Sequence, residues 1–262
     1  MEEFFNIKYE FNKDNVEKSI DHILSQDCHG YIPVVDGVVL SHAQKDANYR
    51  NILCNSMFAI CDSSWVPLYI RMIYGVSRSQ YCGAMIFKDL VEKRSPLDCE
   101  QSKYRMAFLG TNTTILNALK DNLAQTMNPN VKDMLFYELP FCNVEEFDYK
   151  SIAKMLDDYR ADLVWVALGA PKQEIFMSKL DFYLNRGVQI AVGAVFKFYS
   201  GLEEKRAPKW MSEMHLEFLF RIFQSPQKQL KRCFLIALSL PKMIFEEVKR
   251  KKRSVSLKSE CN

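Results

Sequence analysis

Apolar positions in this chain gather into short runs divided by segments with helical spacing. Residues 31–40, 57–61, 104–109 and 163–168 are nearly continuous apolar stretches, the last of them Leu163-Val164-Trp165-Val166-Ala167-Leu168. Runs of this length and composition are strands buried on both faces. Residues 133–137 and 189–192 read as two further strands, and a short strand opens the chain. Helical spacing covers residues 16–25, 41–55, 66–74, 85–94, 114–127, 151–160 and 173–185. Strands alternating with helices predict an α/β fold with a parallel, doubly wound sheet. Such sheets bind ligands beyond the carboxyl ends of their strands, so the loops there are the place to look for chemistry. A dinucleotide oxidoreductase is excluded, since no Gly-x-Gly-x-x-Gly follows an early strand.

Charge changes the picture at the carboxyl end. The 262 residues carry a formal net charge of only +3, but lysine and arginine crowd the segment after residue 204. Local basicity of this kind points to an anionic partner: phosphate, lipid headgroup or nucleic acid. Within residues 230–253, Phe234, Leu235, Leu238, Met243, Ile244 and Phe245 mix with flanking cations, and Pro241 interrupts the run. Two short amphipathic helices are expected there, since proline breaks or kinks a helix. They lie on a membrane surface, or they dock on the core beneath a solvated basic tail. The chain therefore divides into a core at 1–204, a helical appendage at 205–253 and a tail at 254–262 expected to be disordered. The basic segment lacks the interleaved stacking aromatics of a nucleic-acid binder.

The eight cysteines are scattered without a Cys-x-x-Cys pair, so neither a zinc nor a redox site is expected. With the polar, acidic opening 1–10, they fit a reducing cytoplasm. No window approaches the roughly 18 uninterrupted apolar residues of a membrane span.

Three loops follow apolar strands. In the first, Gly110-Thr111-Asn112-Thr113 opens a helix whose backbone N–H groups can hold a phosphate; the same sequence also makes an ordinary strand–helix turn. In the second, Gly169-Ala170-Pro171-Lys172-Gln173-Glu174 combines small residues with a cation at a helix start. A cation is unusual there and a bound diphosphate would offset it; a solvated Lys172 on a capped turn is the other reading. The third runs from Gly193 through Phe196 and Lys197 to Gly201, followed by Lys205, Arg206, Lys209 and Trp210. Arg206 and Lys209 suit a phosphate clamp, whereas Trp210 alone reads as a core anchor. Asp62, at the end of the 57–61 run, is either a helix N-cap or a catalytic carboxylate.

Taken in order, these segments resemble glycosyltransferase family 26, the WecG/TagA/CpsF family. The resemblance rests on Asp62 with Arg71 and Gly75, on Phe108-Leu109-Gly110, and on the stretch from Asp162 to Glu174. It continues through Val192-Gly193-Ala194-Val195-Phe196, Gly201, the stretch from Lys205 to Met211, and Leu216 to Arg221. It spans roughly residues 30–235. It implies a Rossmann-like, doubly wound, mostly parallel sheet with a basic amphipathic helical appendage. It also implies an inverting, metal-independent enzyme without a cofactor, building cell-surface polysaccharide. The best-known members move N-acetylmannosamine from UDP onto N-acetylglucosamine-diphospho-undecaprenol on the inner face of the cytoplasmic membrane.

Carried over residue by residue, the resemblance makes Asp62 the general base. It places Asp36, Arg71, Gln80, Gln173, Lys197, Arg206, Arg221, Lys228 and Lys231 on the substrates. It places Gly110, Thr111, Asn112, Gly169, Ala170, Pro171, Gln173, Glu174 and Gly193 around the nucleotide. The expected partners are a UDP-sugar, an undecaprenyl-diphosphate-type acceptor, the membrane surface and a second copy of the chain. Departures from the family pattern touch the sugar. Val34 and Asp36 stand where the family has Thr-x-Asn, Gln80 where it has arginine, and Lys197 where it has aspartate. A different hexose or acceptor fits these changes, as does a non-catalytic partner that activates another glycosyltransferase.

Overall fold

The structure is a computed structural model that describes residues 1–63, 65–96, 101–202 and 226–260; for 226, 228, 229 and 254–260 it describes the backbone alone. Its centre is a five-stranded parallel sheet in the order β3 (His29–Ile32), β9 (Gly187–Ala191), β8 (Leu163–Ala167), β6 (Met106–Gly110) and β7 (Leu135–Tyr137). Apart from the last residue of β8, the three inner strands are wholly buried, as their apolar runs require. From β6 the chain steps to β7 on one side, then returns to β8 and β9 on the other. The winding therefore reverses beside β6, and the crevice of a doubly wound sheet opens there, beyond the carboxyl ends of β6 and β8.

The expected strand over 31–40 is shorter in the structure. Strand β3 stops at Pro33, β4 (Val34–Val35) follows, and helix α2 (Gly37–Lys45) begins at once. The cause is Asp36, whose carboxylate caps the helix by accepting from the N–H groups of Val38 (2.8 Å) and Val39 (2.9 Å). Pairing with β9 ends at Ile32 opposite Ile190, and β4 pairs only with β5 (Ile60–Cys61). Pro33 turns its carbonyl toward β5, so the N–H that proline lacks would also lie on the β5 side. Strand β5 runs on the far side of this strand, joined by Met57 N–H to Tyr31 O and Ile60 N–H to Pro33 O. The N-terminal hairpin of β1 (Glu2–Phe4) and β2 (Ile7–Tyr9) extends the same edge through a bridge from Tyr9 to Ala59.

Helices α1 (Lys13–Ser25), α4 (Trp65–Tyr74), α5 (Gly83–Val91), α6 (Thr113–Thr126), α7 (Tyr149–Tyr159) and α8 (Lys172–Asp181) follow the sequence pattern within a few residues; the helix expected over 41–55 is divided at the capping Asp46 between α2 and α3 (Ala47–Cys54), and α9 (Val195–Ser200), within the third loop, is additional. An aromatic cluster fixes α5 and α9 on the sheet: Phe87 packs edge-on against Trp165 (4.9 Å) and Phe108, lies tilted to Phe196, and stacks on Tyr199 (5.2 Å). Each buried ring of this kind contributes about 1.5–3 kcal/mol.

At the carboxyl end the expectation of two short helices is overturned. A single helix, α10 (Pro226–Glu260), runs through Pro241. An internal proline costs about 3 kcal/mol, and contacts on both sides of it offset that cost. Before the proline, Arg232 pairs with Asp36 (2.5 Å) and Ser239 bonds Ser41 (2.6 Å). After it, Met243 is buried, Glu247 accepts from Tyr74 OH (2.7 Å) and Arg250 pairs with Glu3 (2.6 Å). The helix is thus docked on α2, α4 and β1, and its backbone stays helical across 254–260. Among the described residues no helix is long and apolar enough to cross a membrane.

Candidate active site

The carboxyl ends of β4, β5, β8 and β9 bring four loop segments to one edge. Asp62 follows β5, its N–H bonded to Val35 O (3.0 Å) and its Oδ1 accepting from the N–H of Gly83 (2.9 Å) at the head of α5. The carboxylate is half-buried. A side chain at Gly83 would meet Val34 Cγ1 at 3.3 Å, Val195 Cγ2 at 3.8 Å and Asp62 Oδ1 at 3.9 Å. These residues form one floor, with Asp62 as its charged member. The aromatic cluster beneath α5 and α9 sets its width, because it positions Gly83 and Val195. Val34 faces this floor with a methyl group.

Gln173 stands on the other side of the β9 loop. It is 4 % exposed, and its Oε1 accepts from the N–H of Gly169 (3.2 Å). A Cβ at Gly193 would lie 3.9 Å from the same oxygen. Gly169 and Gly193 both have positive φ (77° and 54°), which only glycine adopts without strain. The Val192–Val195 turn therefore touches Gln173 at one end and the Asp62 floor at the other.

Several expected residues have other roles. Gly110 has φ 120°, and a Cβ there would strike Ala167 O at 2.7 Å, so this glycine permits β6 and β8 to pair to their ends. Asn112 caps α6 by accepting from Ile115 N–H (2.9 Å). Glu138, just past β7, accepts from Thr113 N–H (2.8 Å) and from its hydroxyl. The positive end of α6 thus already holds a carboxylate. Thr111 sits between them with φ 54°. Lys172 is drawn to Cys142 O and lies 5.0 Å from the Phe147 ring centre, so protein groups satisfy the cation that a diphosphate would otherwise answer. Glu174, expected among the nucleotide contacts, is 0 % exposed; its side chain lies behind Gln173 and reaches no surface. Burial pushes its carboxyl up to about 7. Ala170 is exposed, and Pro171, after a cis peptide, stands just ahead of α8 as its capping residue.

Among the expected substrate cations, Arg71 is exposed on α4, and Lys231 is exposed on α10. Gln80 is half-buried in the loop before α5, and Lys197 is half-buried in α9. Arg206 and Arg221 lie outside the described residues, as does the side chain of Lys228. Sequence reading missed Arg232, which reaches the site edge through Asp36. The signal was the helical stripe Arg232, Ile236, Ser239, Met243, Glu247 and Arg250, at steps of three and four. Sequence reading also missed Tyr49, which donates to Glu174 Oε2 at 2.9 Å.

A parallel α/β sheet with a carboxylate and an amide among the loops at its carboxyl edge is a scaffold on which those loops carry the chemistry. The profile of the Glycosyl transferase WecG/TagA/CpsF family matches residues 3–255. This chain belongs to that family and is a glycosyltransferase. Two N-acetylglucosaminyldiphosphoundecaprenol N-acetyl-beta-D-mannosaminyltransferases are among its relatives. The protein from Bacillus subtilis (strain 168) is 28% identical over 239 residues, 91% of this chain and 86% of the relative. The one from Bacillus spizizenii is 25% identical over 232 residues, 88% and 83% of the two chains.

Proposed function

We infer that this enzyme transfers a hexose, N-acetylmannosamine or another, from a UDP-sugar to a sugar carried on a polyprenyl diphosphate, with inversion at the anomeric carbon. The carrying observation is the anchored Asp62 carboxylate on the floor shared by Val34, Gly83 and Val195. The names of the two relatives supply the acceptor class. In the transfer, the acceptor hydroxyl oxygen bonds the anomeric carbon as its proton passes to Asp62. The bond from that carbon to the UDP oxygen breaks, and UDP leaves with the electron pair.

The leaving diphosphate needs positive charge. Arg232 is a described cation held beside the floor through Asp36, and Arg206, Arg221, Lys228 and Lys231 are the further cations suggested by the family resemblance. A lipid-borne acceptor requires the enzyme at a membrane surface, which suits the basic α10; the reading places it peripherally on the inner face of the cytoplasmic membrane. Val34 argues for a donor that needs no hydroxyl contact at that point.

UDP release measured over a panel of UDP-sugars with a short-chain diphospholipid acceptor tests the reading. Acceptor-dependent release should fall about 10²–10⁴-fold in Asp62→Asn, the usual worth of a general base. No release with any donor from the folded wild-type protein would shift the reading to a non-catalytic partner of another glycosyltransferase.

A further inference from the structure

Glu174 is a fully buried carboxylate that the transfer chemistry above does not use. Burying such a group is costly unless hydrogen bonds answer it. Both of its oxygens are answered. Oε1 accepts from Gln173 Nε2 at 2.8 Å, and Oε2 accepts from the hydroxyl of Tyr49 at 2.9 Å. Tyr49 comes from α3 and is itself buried, with its ring edge-on to His42.

Glu174 Oε1 accepts in either charge state, since a proton held by the carboxyl can sit on Oε2 toward Tyr49, whereas an amide has one donating and one accepting end. Glu174 therefore decides which end of Gln173 faces inward: the NH₂ group. The carbonyl end must face the loops, and it lies on Gly169 N–H, 3.9 Å from where a Gly193 side chain would begin. A carbonyl oxygen has two lone pairs, and Gly169 engages one of them.

We propose that Tyr49 and Glu174 are positioning residues that lock the Gln173 amide in one orientation, presenting its Oε1 between the Gly169 and Gly193 loops as an acceptor for a hydroxyl or N–H of the bound sugar nucleotide. This rests on the reading that Gln173 touches substrate. It does not depend on which sugar is transferred.

A double-mutant cycle tests the lock. The variants are Gln173→Ala, Glu174→Leu and the pair, with kcat and KM measured per folded molecule. Misplacing a contact group costs up to about a hundredfold, so Glu174→Leu should lower kcat/KM by about that factor. In the Gln173→Ala background the same change should matter less than about twofold, because its effect passes through Gln173. Glu174→Gln should recover most of the loss, since its carbonyl can accept from Gln173 and its amide can donate to Tyr49. Equal losses in both backgrounds would mark Glu174 as merely structural and overturn the proposal.

If Glu174→Leu does not fold, Tyr49→Phe keeps the ring and removes one bond, and the cycle is repeated with it. A second readout needs no turnover. The side-chain amide protons of Gln173 should exchange slowly in NMR spectra of the wild type and of Glu174→Gln. Fast exchange in the wild type would overturn the lock. Slow exchange in a wild type that transfers nothing would instead overturn the transferase reading alone.

Discussion

At the scale of single residues, the group most sensitive to its surroundings is Glu174. Its carboxyl is pushed up to about 7 because burial penalises the charged form. Between the usual glutamate range and pH 7 the folded protein therefore holds a proton that the unfolded chain has lost. Stability contributed by that proton is present at low pH and is lost as pH rises through this window. A shift of this size corresponds to about 3 kcal/mol. Melting temperatures compared at pH 5 and pH 8 should show wild type losing stability with rising pH, and Glu174→Gln losing less. A wild-type melt that is flat between those values, or a variant with the same slope, would count against it. Asp62 and Gln173 were legible from sequence because they lie at the ends of apolar runs inside a recognisable family pattern. Tyr49 was not, because it lies 125 residues from Glu174 and no local pattern marks a buried phenol as a hydrogen-bond partner.

At the scale of elements, the inner strands were readable because a strand covered on both faces must be apolar throughout. The same property hid the start of α2. Val38, Val39 and Leu40 are buried in a helix, and a short apolar run does not distinguish a buried helix from a buried strand. Asp36 was the available sign, as a capping residue just ahead of the run. The N-terminal hairpin was missed for another reason. Its turn residues, Phe5 and Asn6, both have positive φ (55° and 60°), and phenylalanine is no turn signal. Asp36 also joins two elements, capping α2 and pairing with Arg232 of α10. Asp36→Asn should keep the cap and lose the ion pair, costing under about 1 kcal/mol because the pair is partly exposed. Asp36→Ala should lose both and cost about 1–2 kcal/mol more. Urea unfolding of the three proteins separates the two contributions; equal losses for both variants would contradict this division.

At the scale of the whole molecule, the basic residues near the carboxyl end fall into two groups. Arg250 pairs with Glu3 and Glu247, and Lys251 donates to Ile73 O (2.5 Å), so these two hold α10 down. Lys249, Lys252 and Arg253 are exposed. Each exposed cation near an anionic bilayer is worth about 1 kcal/mol, so replacing these three with glutamine should weaken sedimentation with phosphatidylglycerol vesicles about a hundredfold. Replacing Arg250 and Lys251 should instead lower the melting temperature. Equal vesicle binding by the triple variant and wild type would remove α10 from the membrane contact. Charge counting along the sequence could not sort the five, because the helical phase that separates them depends on α10 continuing through Pro241.

The sheet forks at Pro33, one residue past the last pair with β9. Below it one strand is zipped on both sides; above it the strand is zipped only to β5, and the β9 side falls open. The Asp62 carboxylate rides on one tine, and the Gln173 amide sits beside the other. The cleft is thus a place where a ladder stops early because the chain beyond β9 turns away through Gly193, with φ 54°.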